Sequence, residues 1–210
     1  RGKEIFYSLQ GEGVQTGVPA IFCRFSGCNL WSGKEDDRSG SVCSFCDTDF
    51  VGTNGVLGGF YDDAQDLAET IEAASPVGTV STTKPLVILT GGEPALQVDN
   101  DLIDVLHSMG YKIAVETNGT LPMPSNVDWV TVSPKPGTEL AVQSGDELKL
   151  VYPQDGVSPE AYEHMRFRNF VLQPMDGKDL KKNIKTCLLY CLAHPGWRLS
   201  VQSHKILGMK

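Results

Sequence analysis

Five short runs in this chain pair apolar residues at alternate positions with polar or ionisable ones between them, and few folds accommodate that pattern. Successive side chains of a strand point to opposite faces. In "AIFCRFS" (20–26), Ile21, Cys23 and Phe25 share one face, while Phe22, Arg24 and Ser26 share the other. "KIAVETN" (112–118) sets Ile113 and Val115 against Lys112, Glu116 and Asn118. "WVTVSPK" (129–135) sets Val130 and Val132 against Thr131, Ser133 and Lys135. "ELKLVY" (147–152) sets Leu148 and Leu150 against Glu147 and Lys149. "RLSVQSHK" (198–205) sets Leu199 and Val201 against Arg198, Ser200, Gln202 and His204.

Two more strand candidates, "LVILTG" (86–91) and "FVLQPM" (170–175), complete the series, and "EIFYSLQ" (4–10) stands outside it. Helix candidates fall between the strands at 62–74, 99–109, 159–166 and 180–193. Ser158 before Pro159 reads as an N-cap, and Pro195-Gly196 reads as a stop. Alternation of strands and helices predicts a parallel sheet built from βα units. Parallel strands covered on both faces would read as nearly continuous apolar runs, and these do not. The economical geometry is therefore an α/β barrel or partial barrel, with the N-terminal strand outside the series. Its interior would be a polar cavity, unlike a barrel core filled with bulky aliphatic side chains. An antiparallel sheet with one solvated face is the alternative reading of the same pattern.

A chain of 210 residues suits one domain spanning 1–210. A net charge of −8 argues against a nucleic-acid partner gripped through its phosphates and favours a small-molecule substrate. No apolar run reaches about 18 residues, so no membrane span is expected. The opening "RGKEIFYSLQ" has no hydrophobic signal core and no Met, which points to a cytoplasmic protein trimmed at its start. Six cysteines in that compartment point to metal or redox chemistry more than to disulfides.

Three of the six lie in one loop. Cys43 and Cys46 form a C-x-x-C pair, and Cys28 precedes them by fourteen intervening residues. The pair alone could be a zinc knuckle, a redox dithiol or neither. Structural zinc takes four closed ligands, and the remaining cysteines fit poorly as the fourth. Cys187 and Cys191 sit on an apolar helix face, and Cys23 sits mid-strand on the apolar side. An iron–sulfur cubane normally takes four cysteines, so three would leave one iron open to an exogenous ligand. In "LTGGEP" (89–94), glycines end a strongly apolar strand, where backbone can approach a ligand closely and a carboxylate can meet an ammonium group.

The three-cysteine loop and the G-G-E segment resemble the radical S-adenosylmethionine superfamily. More narrowly, "EIFYSLQGEGVQTGVPAIFCRFSGCNLW", "CSFCDTDF", "LTGGEPALQ", "VETNGT", "VSPKPG", "LQPMDG" and "SHKILG" together resemble the 7-carboxy-7-deazaguanine synthase family, in order and over nearly the whole chain. One departure stands out. The superfamily's usual loop is C-x3-C-x2-C, whereas here Ser32 holds the place of the second cysteine and Cys43 stands eleven residues downstream. A surface excursion of that length costs little added closure entropy, about 0.6 kcal/mol per doubling of the loop.

The resemblance implies the radical SAM fold, an α/β partial, open βα barrel of about six core parallel strands with an added N-terminal strand, and a ring contraction. A 5′-deoxyadenosyl radical, formed by reductive cleavage of S-adenosylmethionine, converts 6-carboxy-5,6,7,8-tetrahydropterin to 7-carboxy-7-deazaguanine with loss of ammonia, toward queuosine and other 7-deazapurines. It implies a [4Fe–4S] cluster on Cys28, Cys43 and Cys46, and Mg²⁺ at Thr48. S-adenosylmethionine would meet Asp47, Gly92, Glu93, Glu116, Asn118, Ser133, Lys135 and Gln173. The pterin would meet Gln10, Glu12, Arg24, Thr90, Gly91 and His204, with the Arg24 fork suited to its carboxylate. A homodimer and an electron donor such as flavodoxin or ferredoxin are implied in the same way. The rival readings are another radical enzyme, such as a glycyl-radical activase, and a non-catalytic zinc module.

Overall fold

The computed structural model describes residues 1–76 and 83–210. Among these residues, eight strands form one sheet in chain order: β1 (Gly2–Leu9), β2 (Pro19–Phe25), β3 (Leu86–Gly91), β4 (Ile113–Thr117), β5 (Trp129–Val132), β6 (Ser144–Tyr152), β7 (Arg166–Pro174) and β8 (Trp197–Leu199). β1 runs antiparallel to β2, and every later neighbour pair is parallel. β8 does not pair back to β1, so the sheet stays open. This is the expected α/β architecture with an added N-terminal strand, and it has seven parallel strands where about six were expected. The antiparallel alternative fails because the five alternating runs lie in parallel register.

Among the described residues, four α-helices accompany the sheet: α1 (Ala64–Ala73), α2 (Asn100–Ser108), α3 (Leu180–Ala193) and the short α4 (Ser203–Leu207). The first two begin at aspartate caps. Asp63 accepts from the Asp66 amide at 2.9 Å and Asp99 from the Leu102 amide at 3.0 Å. Their apolar stripes, Leu67, Ala68 and Ile71 on α1 and Leu102, Ile103 and Leu106 on α2, pack against Ile21, Cys23, Phe25, Leu89, Ile113 and Val115. A second core joins Cys187 of α3 to Val132, Leu148, Leu150, Leu172 and Trp197. Cys23 and Cys187 are thus packing residues beneath helices, as their surroundings in the sequence suggested.

The opposite face changes character along each strand. Near the amino ends, Ala20, Phe22, Ile88 and Ala114 close an apolar floor with Phe6, Leu86 and Trp129. Toward the carboxyl ends the same face carries Arg24, Thr90, Glu116, Thr131 and Lys149. Ligands of open parallel sheets collect at that edge.

Two expected elements differ. The run 198–205 is strand only to Leu199, and His204 stands in α4 instead of on a strand face. Continuing the β7–β8 register would bring the chain to Pro174, which has no N–H to offer. Instead the Ser203 amide and hydroxyl both donate to the Gly11 carbonyl, at 2.9 and 3.0 Å, which turns the chain into α4. The helix expected over 159–166 is a single 3₁₀ turn, Pro159–Tyr162, and β7 starts early at Arg166. Burial of Phe167 in the second core holds that stretch in the sheet, and the Ser158 hydroxyl bonds the Glu160 carboxylate instead of capping a helix.

Candidate active site

One cavity of about 550 Å³ opens at the carboxyl edge of the sheet. Its roof is the loop that leaves β2. Cys28, Cys43 and Cys46 all line it, and they pack with Trp31 and Phe50 into a small apolar cluster. The Cys46 amide donates to the Cys43 carbonyl at 3.1 Å, closing the C-x-x-C turn, and the Leu30 amide points at Cys28 Sγ at 3.5 Å. Burial pushes the Cys28 thiol up against the Leu30 and Trp31 amides that favour its thiolate, and it pushes Cys43 up to about 11. Iron binding to these thiols would therefore release protons.

Among the described residues, no group of three or more His, Cys, Asp or Glu is placed to share one metal ion. A closed zinc site asks for that convergence, whereas a cubane binds each thiolate through a different iron. Three thiols on one loop, facing one cavity, fit the larger group.

The G-G-E segment lies against the start of this loop. The Gly92 amide donates to the Phe25 carbonyl at 3.3 Å and the Glu93 amide to the Gly27 carbonyl at 2.9 Å. A Cβ on Gly92 would overlap the Gly27 carbonyl oxygen, and one on Gly91 would stand 2.7 Å from that of Phe25. The glycines are thus required by the close passage of β2's exit. Gly91 and Gly92 line the cavity, but Glu93 is fully buried beneath it. Its carboxylate accepts from the Ala95 amide (2.9 Å), Thr117 Oγ1 (2.7 Å) and the Asn118 amide (2.7 Å). Burial raises its pKa against those three donors.

Asn118 in turn reaches back to the loop. Its Nδ2 donates to Asn29 Oδ1 at 2.9 Å, Asn29 Nδ2 donates to Thr120 Oγ1 at 2.8 Å, and Thr120 Oγ1 donates to Asn118 Oδ1 at 2.7 Å. That ring of three polar side chains ties the residue after Cys28 to the end of β4.

The cavity wall is a charge network held by strand register. Arg24 faces Glu4 across β1–β2 and its Nε donates to Glu4 Oε1 at 3.0 Å. Glu116 accepts from Gln10 Nε2 at 2.8 Å and from Thr90 Oγ1 at 3.2 Å. Glu12 accepts from Lys149 Nζ at 2.5 Å and from Gln202 Nε2 at 2.8 Å. Burial disfavours the Glu12 anion, but the Lys149 charge and these bonds hold it at about 2. Burial likewise disfavours the Lys149 cation, and Glu116, Glu12 and Glu147 overcome it and raise its pKa. Glu147 shifts the other way: burial raises it, opposed by the Val14 amide at 2.7 Å and by Lys149. Gly13 lies so close to Glu147, at φ +67, that only a glycine fits, and Gly11 is pressed by the His204 ring.

The remaining expected residues also border the cavity: Asp47, Thr48, Ser133, Lys135, Gln173 and His204. Lys135 Nζ donates to Ser133 Oγ and to its carbonyl, each at 2.7 Å, and burial lowers its pKa. Gln173 Oε1 accepts from Ser200 Oγ at 3.3 Å. Asp47 is tied to the last helix by Lys205 at 2.6 Å, and Lys205 also meets Asp176 at 2.5 Å. Of the expected cofactor-, metal- and substrate-binding residues, Glu93 alone does not border the cavity. Those passed over include Gln202, Lys205 and Asp176. Gln202 had been placed on the polar face of its run, which was the available signal, whereas Lys205 and Asp176 meet only through α4.

Together these features define an α/β enzyme domain with one polar cavity at the sheet's carboxyl edge, roofed by a three-cysteine loop. No family model matches the chain. It is 56% identical over 208 residues to the 7-carboxy-7-deazaguanine synthase of Bradyrhizobium diazoefficiens, covering 99% of this chain and 98% of that one. It is also 56% identical over 212 residues to the synthase of Nitratidesulfovibrio vulgaris, covering 100% and 98%. Among solved structures it matches QueE from Escherichia coli with a TM-score of 0.68 at 28% identity, over 97% of this chain and 93% of the other. The chain belongs to the 7-carboxy-7-deazaguanine synthases. The glycyl-radical activase and zinc-module readings are set aside by those full-length matches.

Proposed function

We propose that this chain converts 6-carboxy-5,6,7,8-tetrahydropterin to 7-carboxy-7-deazaguanine with loss of ammonia, as a radical S-adenosylmethionine enzyme of the 7-deazapurine pathway. The observation that carries the reading is one cavity bordered at once by three loop thiols, a glycine strand end and the Arg24 fork, in a chain matched end to end by named synthases. Cys28, Cys43 and Cys46 would hold a [4Fe–4S] cluster, which supplies the electron for reductive cleavage of S-adenosylmethionine.

The chain's own groups then divide by position. The main chain at Gly92, with Asp47, Glu116, Asn118, Ser133, Lys135 and Gln173, borders the cofactor end. Glu93 is assigned as the support beneath Asn118, because all three of its bonds run into the protein. Glu4 takes Nε of Arg24, and among the described residues no other hydrogen bond to that guanidinium is formed, so its two NH₂ groups can take the pterin carboxylate. Thr48 offers a hard oxygen for Mg²⁺ beside that carboxylate. Gln10, Glu12, Thr90, Gly91 and His204 face the rest of the pterin. Glu12, held as an anion by Lys149, accepts a hydrogen bond from an N–H edge and cannot donate one. The chain would act as a homodimer in the cytoplasm and receive electrons from a flavodoxin or ferredoxin.

The test is anaerobic incubation of the reconstituted chain with carboxytetrahydropterin, reductant and S-adenosylmethionine. The deazaguanine product is expected by mass. A chain that cleaves S-adenosylmethionine but yields no such product overturns the substrate.

A further inference from the structure

The residues between Leu30 and Val42, which lengthen the cysteine loop, do not pass over the surface as a slack detour. They form a 3₁₀ turn, Glu35–Gly40, built around Arg38. The Arg38 guanidinium lies over the Trp31 ring, 4.1 Å from its centroid. Its Nη1 donates to two carbonyls, Ser44 at 3.1 Å and Cys46 at 2.9 Å. Its Nε and Nη2 grip the Glu35 carboxylate at 2.7 and 2.6 Å. Trp31 is fixed in turn: its Nε1 donates to Asp37 at 2.9 Å, and its ring meets Phe50 edge-on at 5.6 Å. Ser32, at the place of the usual second cysteine, donates to the other Asp37 oxygen at 2.6 Å and does not border the cavity.

From this geometry we infer that Arg38 is a positioning residue for the cluster: it clamps the Cys43–Cys46 turn onto the Trp31 platform and so aims both thiols into the cavity. Both Nη1 bonds end inside or at the edge of the C-x-x-C turn, on Ser44 and on Cys46 itself. Cys43 is buried in the same small cluster as Trp31 and Phe50, so the platform fixes one thiol and the guanidinium fixes the other. A turn with a second cysteine at the usual close spacing is held by its short covalent path. Here that path runs through fourteen residues, and the planar fork replaces it. Lysine could keep the charge and the ring contact, but it cannot serve two carbonyls and a carboxylate in one plane.

The inference rests on the three-thiolate reading, so the test separates the two. Arg38→Met and Arg38→Lys are compared with the wild type, all reconstituted anaerobically. For both variants, release of iron to a chelator should quicken roughly tenfold, the factor one hydrogen bond to a charged group carries. The cluster's midpoint potential should fall for Arg38→Met, which loses a nearby positive charge, and hold for Arg38→Lys. In the iron-free chain, Cys43 and Cys46 should react faster with a thiol reagent in both variants, mapped by mass, while Cys23 and Cys187 stay protected. Far-UV circular dichroism of the iron-free variants should match the wild type. Unchanged iron release and unchanged thiol reactivity in Arg38→Met would overturn the clamp. A wild-type chain that holds no cluster at all would overturn the ligand reading instead, and the thiol arm would still decide the clamp.

Discussion

The wall and the roof of the cavity are built by different means. On the wall, Arg24, Thr90, Glu116 and Thr131 stand on neighbouring parallel strands, with Lys149 two positions past Glu147, the β6 partner of Thr131, so backbone register sets where they stand. On the roof, the three cysteines sit in a loop with no register. They are placed by side-chain contacts: Asn29 locked to Asn118 and Thr120, and the C-x-x-C turn held by Arg38 on Trp31. A strand wall can therefore afford strong charges, because its geometry does not depend on them. A loop roof must spend polar contacts on position first.

Breaking the wall should have the largest effect. Lys149→Met would leave Glu12 and its neighbours buried without their cation, at a cost of about 3–5 kcal/mol in denaturant unfolding at neutral pH. The pH profile gives the sign. Glu12 is held at about 2, below its ordinary 4.5, so its contribution is complete above pH 4.5 and lost as pH falls toward 2. That acid-side loss should disappear in the variant. If the variant unfolds with the wild-type profile, Lys149 is not what stabilises the buried Glu12 anion.

Next comes the seam between wall and roof. Gly92→Ala should force Gly27 away and destabilise the chain by about 1–3 kcal/mol, with loss of iron on reconstitution. Glu93→Gln should cost about 1–3 kcal/mol by unpairing a buried donor, while binding of S-adenosylmethionine weakens less than stability does. A large loss of cofactor binding at unchanged stability would put Glu93 on the ligand instead. The smallest effect should come from Glu35→Gln on the exposed rim, with no measurable change in thermal midpoint.

This difference also explains what was legible in the sequence. The wall was readable because period-two alternation reports strand faces directly, and Glu116, Ser133 and Lys149 were placed from it. The roof was readable as three cysteines in one loop but not as a path, since nothing near Arg38 in sequence announces that it will stack on Trp31 and bond into the turn. Glu93 looked like a ligand residue because its partners, Thr117 at the end of β4 and Asn118 just after it, lie 24 and 25 positions away in sequence. His204 was assigned to a strand because the run alternates well. The bonds from Ser203 to Gly11, about 190 residues earlier, decide otherwise.

The central claim is that the thiol set is Cys28, Cys43 and Cys46, with Ser32 outside it. Electron paramagnetic resonance of anaerobically reconstituted and reduced chains tests it most directly. The wild type and Ser32→Ala should both give a [4Fe–4S] signal that changes on adding S-adenosylmethionine, and Cys43→Ala should give none. A signal that survives in Cys43→Ala and vanishes in Ser32→Ala would contradict the account.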